Sequence, residues 1–255
     1  MDMQIDLGAY RRDGYQSLPR LLAEDDRRLA ITTFDALDAA GHVDSGYGPE
    51  YDTDGGARRL RKVRRLLWNK PELWGPLLNR SGIGDIAHLL IGPDAHVVFF
   101  AAFLKPARIG SEVALHQDQA LWRYQYPSAF SVWIALTEAS RANGGLFGCP
   151  GSHARGLIVH RDRPEYLWHP SIDAAEDGLN DPVPIPLQPG EAVVWDRYFA
   201  HASGRNASGM DRRGMVIVFA DGSHPGFQAT DHFSLSDLTA LGVGSPGGGT
   251  GGEPA

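Results

Sequence analysis

The sequence predicts an α+β chain in which helices come first and a β-sandwich or barrel follows. Apolar residues recur at helical spacing up to about residue 92. After Pro93 the segments become short, rich in β-branched and aromatic residues, and separated by Gly, Pro and Asn. The two patterns follow one another instead of alternating, which favours segregated layers over a βαβ fold.

Taken in order, Leu21 to Ala40 has helical spacing and stops at Gly41. "HVDSGYGPEYDTDGG" reads as a loop from its Gly and Asp content. "ARRLRKVRRLLWNK" carries six basic residues between positions 58 and 65, Arg58, Arg59, Arg61, Lys62, Arg64 and Arg65, as either a solvated face or an anion-holding rim. "PELWGPLLN" and "GIGDIAHLLIG" are helical, with Pro71 in a first turn. "AHVVFFAAFLKP", "SEVALHQDQ", "SAFSVWIALTE", "GEAVVWDRYFAH" and "RRGMVIVFADG" read as strands. One domain is expected over residues 1–243, followed by a flexible Gly-rich tail at 244–255.

Composition narrows the partners. A net charge of −7 disfavours non-specific nucleic-acid binding, which needs a basic surface. The single cysteine, Cys149, cannot form an internal disulfide and suits a reducing compartment. The first residues lack the apolar core of a signal peptide, and no apolar run is long enough to span a bilayer. The expectation is a cytoplasmic protein with a small-molecule partner and no membrane or nucleic-acid partner. Oligomeric state is left open.

"ALHQDQALW" places His116 and Asp118 on either side of Gln117. On a strand such a pair shares one face, and two polar groups facing a core need a partner. A structural pair, an acid/base dyad and two metal ligands are all compatible with it. His201, at the end of "EAVVWDRYFAH", supplies a third ligand type. Two histidines and a carboxylate with open positions are the composition of the facial triad of non-haem Fe(II) oxygenases. Of the other histidines, His42, His88, His96, His224 and His232 have no partner at ligand spacing. His153 is a candidate for orienting a loop, and His160 and His169 for meeting substrate.

The stretches "HQDQALWRYQYPSAFSVWIALTEASRANGGLFGCPGSH" and "QPGEAVVWDRYFAHASGRNASGMDRRGMVIVFA" resemble the phytanoyl-CoA dioxygenase family of Fe(II)/2-oxoglutarate oxygenases, from roughly Tyr10 to Asp221. The resemblance rests on HxD, a Trp on the next strand, N-G-x-L, PGSH, and HxSxxNxS with a following arginine. It implies a double-stranded β-helix, a jelly-roll of cupin type, with helices outside one sheet. It also implies Fe(II), 2-oxoglutarate as co-substrate and O2, with His116, Asp118 and His201 as iron ligands.

By the same resemblance, Arg212 and Ser203 hold the far carboxylate of 2-oxoglutarate, Trp133 packs against it, and Lys105 belongs to a lysine–proline motif. Gln119, Trp122 and Phe147 are candidates for facing substrate, with a lid in the 155–169 insertion. Related halogenases replace the carboxylate ligand by Ala or Gly, so Asp118 implies hydroxylation or another C–H oxidation. The basic run is the only hint of an acyl-CoA, and the Ala-, Arg-, Gly- and Asp-rich composition suggests bacterial natural-product metabolism. A cupin-type metalloenzyme without a keto acid and a non-catalytic ligand-binding barrel are the rival classes. "DRRG" offers Arg212 and Arg213 on opposite faces of one strand; spacing from His201 and the small same-face neighbours Gly214, Val216 and Val218 select Arg212.

Overall fold

The computed structural model describes residues 5–40, 45–54, 56–166, 169–225, 227 and 231–242. His42, Trp168 and the expected tail lie outside them. The helices are α1 (Leu7–Asp13), α2 (Glu24–Ala39), α3 (Leu66–Asn69), α4 (Pro71–Arg80), α5 (Ile83–Leu90), α6 (Asp118–Leu121) and α7 (Leu235–Gly242). The strands are β1 (Tyr15–Leu18), β2 (Glu50–Asp54), β3 (Ala57–Arg64), β4 (Ala95–Lys105), β5 (Val113–His116), β6 (Ala129–Ala135), β7 (Leu146–Gly148), β8 (Val183–Ile185), β9 (Ala192–Asp196), β10 (His201–Ser203), β11 (Arg212–Asp221) and β12 (Phe233–Ser234).

Two antiparallel sheets form the jelly-roll. The larger runs β1-β9-β6-β11-β4-β3-β2, with β12 also on β4; the smaller runs β5-β10-β7-β8. Alternation along β11 assigns its two faces. Met215, Ile217 and Phe219 join a core with Phe34 of α2, Trp74, Leu77 and Leu78 of α4, and Ile83 and Ile86 of α5. Each such side chain, fully buried, contributes roughly 1.5–3 kcal/mol. Arg212, Val216 and Val218 face the smaller sheet and line a cavity between the two. The helices therefore cover the outside of the larger sheet and leave its inner face for the site.

Local rules account for the helices. Glu24, Asp25 and Asp26 fill the first turn of α2, where the helix dipole favours negative charge. Pro71 opens α4, where a missing N–H costs nothing.

Three expectations need correcting. The loop after Gly41 contains β2, and the basic run after it is β3, paired with β2 and β4. The segment ending in His201 is two strands: β9 stops at Asp196 in the larger sheet, and the chain crosses to β10 in the smaller one. Asp118 is not on a strand, because β5 ends at His116 and Asp118 begins α6.

Candidate active site

His116 and His201 are directly opposed across β5 and β10, with ring centroids 4.3 Å apart. Each ring is set by its own backbone. Nδ1–H of His116 donates to Ala114 O at 2.8 Å, and Nδ1–H of His201 to Phe199 O at 3.0 Å. Both Nε2 lone pairs are then free, the tautomer a metal ligand requires. They lie 3.7 and 3.8 Å from Asp118 Oδ1.

The turn after β5 swings the carboxylate in, while the larger sheet holds its other oxygen. Asp118 Oδ2 accepts from Ser131 Oγ at 2.5 Å and from Trp195 Nε1 at 2.9 Å. The three ligand atoms lie within 4.8 Å of one another, the one such His/Cys/Asp/Glu group among the described residues. Burial holds the His116 imidazole well below its usual pKa, so it is neutral and ready to ligate. One carboxylate and two imidazoles with free Nε2 atoms, with no fourth side chain closing the shell among the described residues, fit an open iron site better than a structural one.

The cavity, about 600 Å3, extends from this triad to Arg212. The Arg212 side chain is buried, and its Nε and Nη1 have no hydrogen-bond partner among the described residues. Burial pulls its pKa down to about 9. An unpaired buried charge costs several kcal/mol, so the pocket calls for an anion there. Ser203 lines the same cavity, and the Arg212 guanidinium lies 5.2 Å from the Trp133 ring centre. Gly214 makes room for that indole, since a Cβ at this position would come within 2.1 Å of it. A dianion with one end at the triad and the other at Arg212 suits both ends.

Arg213 points outward, to Asp35 and Asp211. Trp122 lines the cavity as expected. Three other candidates do not. Gln119 is fully buried and turned away, donating to Tyr124 O at 2.9 Å and accepting from Tyr126 N at 3.1 Å. Phe147 faces away beside Arg141, because alternation along β7 gives the cavity Leu146 instead. The Lys105 ammonium donates to the carbonyls of Ser203 (3.2 Å) and Gly204, clamping the end of β10 from outside the cavity. Gly144, at φ 81°, lies where a Cβ would strike the Lys105 stem at 2.8 Å.

His153 donates to Arg11 O and holds α1, while His160 accepts from the Gln117 N–H. His169 reaches the cavity, its ring centre 4.5 Å from that of His116.

Other lining residues were not legible. Phe99, Phe103, Val113, Leu146, Trp195 and Val218 look like ordinary core residues until the sheets are placed. The basic run divides: Arg61, Lys62 and Arg64 line the cavity with Glu50, while Arg59 pairs with Asp38 and Arg65 with Asp231 on the outside. Burial lowers the Lys62 ammonium to about 8. Alternation over "RKVR" sets Lys62 and Arg64 apart from the core residue Val63, but it gives no sign that Arg61 also reaches the cavity.

The sequence profile of Phytanoyl-CoA dioxygenase (PhyH) matches residues 10–214. The ectoine dioxygenase of Bordetella parapertussis is 25% identical over 227 residues, spanning 83% of this chain and 73% of that protein. Among solved structures, EvdMO1 is 28% identical with a TM-score of 0.65, over 86% of this chain and 49% of its own, so this chain spans about half of it. EvdO2 of Micromonospora carbonacea var. aurantiaca, solved with 2-oxoglutarate, has a TM-score of 0.68 at 24% identity, over 86% of this chain and 91% of its own. The profile match over most of the chain is decisive for kinship: this chain belongs to the phytanoyl-CoA dioxygenase family.

Proposed function

We propose that this chain is an Fe(II)/2-oxoglutarate-dependent dioxygenase that hydroxylates, or otherwise oxidises, an aliphatic C–H of a small molecule in bacterial natural-product metabolism. The observation that carries the reading is the pairing of two unfinished ends in one cavity. His116, Asp118 and His201 present three free ligand atoms, and Arg212 presents a buried guanidinium with unpaired donors. A cupin-type metalloenzyme without a keto acid, or a ligand-binding barrel, gives Arg212 no counter-ion.

In this reading His116, Asp118 and His201 hold the iron, and Arg212 with Ser203 holds the far carboxylate of the keto acid. A guanidinium suits that task because its N–H donors match a carboxylate in parallel. Trp133 shapes the passage between the two ends. Bound iron supplies the activation of oxygen that accompanies decarboxylation of 2-oxoglutarate. The chain's own contribution is to hold both reactants in a walled cavity and to decide which C–H lies nearest.

Phe99, Leu121, Trp122 and Val218 form an apolar wall, and Glu50, Arg61, Lys62 and Arg64 a charged one. A small amphipathic molecule matches such walls, and the action of a relative on ectoine supports that size class. Anaerobic titration with Fe(II) and then 2-oxoglutarate tests the reading: a visible charge-transfer band should appear only when both are present. No band, together with no iron-dependent succinate formation in air, counts against it.

A further inference from the structure

Gln117, between two of the triad residues, is fully buried. It faces away from the cavity, yet every polar group of its side chain is used. Nε2 donates to Tyr198 O at 2.7 Å and to Gly156 O at 2.9 Å, and Oε1 accepts from Ile158 N at 2.8 Å. Its backbone N–H donates to His160 Nε2 at 2.9 Å, and His160 Nδ1–H donates in turn to Ile158 O at 2.8 Å.

These bonds join three pieces of chain. Tyr198 lies on the crossing that delivers His201, next to Phe199, whose carbonyl orients the His201 ring. Gly156 to His160 is the start of the insertion, which returns through the Arg161–Ser171 bridge and brings His169 and Pro170 to the cavity wall. The third piece is the His116–Asp118 turn itself. Among the described residues, Gln117 is the one side chain that bonds to both of the other two.

We infer that Gln117 is a positioning residue. It makes the seating of the 156–160 segment and the setting of Asp118 and His201 a single cooperative arrangement, so this segment and the ligands are ordered together. This rests on the reading of His116, Asp118 and His201 as iron ligands. A buried amide with all its bonds made specifies one geometry, and losing it leaves two carbonyls and one N–H without partners.

The test uses Gln117→Met, which keeps length and volume and removes the hydrogen bonds, beside Leu77→Ala, a core variant on the helical side. Hydrogen exchange of the metal-free proteins and Fe(II) affinity by chelator competition are both measured. In Gln117→Met, exchange should rise in peptides covering 156–160 and also in those covering 197–201. Its iron affinity should fall on the order of tenfold, as for other groups that orient metal ligands. Leu77→Ala should change neither, whatever its melting temperature.

Faster exchange in only one of the two segments, or in neither, overturns the inference, as does unchanged iron affinity. If Gln117→Met does not fold, His160→Phe decides, because that ring is only half-buried and carries two bonds of the set, to Gln117 N and Ile158 O. It should loosen both segments to a smaller extent, and failure to do so overturns the inference. Absence of iron binding by the wild-type chain refutes the ligand reading instead, while exchange in the metal-free protein still judges Gln117.

Discussion

The Trp195 indole N–H donates to Asp118 Oδ2 at 2.9 Å, so a residue of the larger sheet fixes a carboxylate whose other oxygen faces the histidines of the smaller one. Trp195→Phe keeps most of the packing and removes the donor, leaving Ser131 to hold Oδ2 alone. Iron affinity should fall on the order of tenfold, with little change in folding. Chelator competition measures it, and an undiminished affinity would show that Ser131 suffices.

Asp118→Ala should abolish product formation, because the carboxylate is the one anionic ligand of the triad. Product analysis by mass spectrometry checks this, and near-normal turnover would remove Asp118 from the ligand set.

Arg212 and Arg213 separate by face. Arg212→Ala should raise the 2-oxoglutarate requirement on the order of 100-fold, the loss of a charge-assisted pair worth roughly 2–3 kcal/mol. Arg213→Ala should leave that requirement alone and cost below about 1 kcal/mol, since its bridges to Asp35 and Asp211 lie near the surface. Steady-state kinetics and urea unfolding distinguish the two, and a reversed result would mean the β11 faces are misassigned.

The same buried guanidinium has an effect on stability of opposite sign. Without 2-oxoglutarate, Arg212→Met replaces an unpaired buried charge by an apolar side chain of similar length. The free protein should melt higher, a gain of about 1–4 kcal/mol by analogy with other buried-charge replacements. It should also lose any upward shift in melting temperature on adding 2-oxoglutarate. Thermal scans with and without the keto acid check both parts; a lower melting temperature for the free variant would show that Arg212 is not strained.

Burial lowers the pKa values of His116, His160 and His169 below the ordinary value of 6.5. The unfolded chain then binds more protons than the folded one as pH falls through about 6.5, so stability is present above that pH and lost below it. Each histidine contributes a slope of up to about 1.4 kcal/mol per pH unit. Unfolding of the metal-free protein between pH 7 and 5 should show this decline, and His160→Gln should make it shallower. A flat profile would contradict the burial of these rings.

Much of this was legible because local chemistry survives in the sequence. The helices spanning residues 24–39, 71–80 and 83–90 carry their own periodicity and termini, and β4, β6 and β11 are long apolar runs. The triad was legible as residue types, and Arg212 over Arg213 by its spacing from His201 and its small same-face neighbours. What escaped depends on long-range pairing. No local signal distinguishes Leu146 from Phe147 until β7 is placed beside β10, nor shows that Gln119 spends its amide on the backbone at Tyr124 and Tyr126. The break between β9 and β10 falls at the charged pair Asp196 and Arg197 in "VVWDRYFAH", but the aromatic residues after it read as a continuation of the same strand.

The larger sheet is stabilised on one face and lines the cavity on the other. Met215, Ile217 and Phe219 sink into the helical layer, while Val216 and Val218, one position along, border the reactants. Exchanging Phe99, Val216 or Val218 therefore leaves the helical core intact. Such a division lets lineages redraw what they recognise without renegotiating how they fold, and it makes the inner wall of this sheet the natural place to begin when retargeting the enzyme by directed evolution.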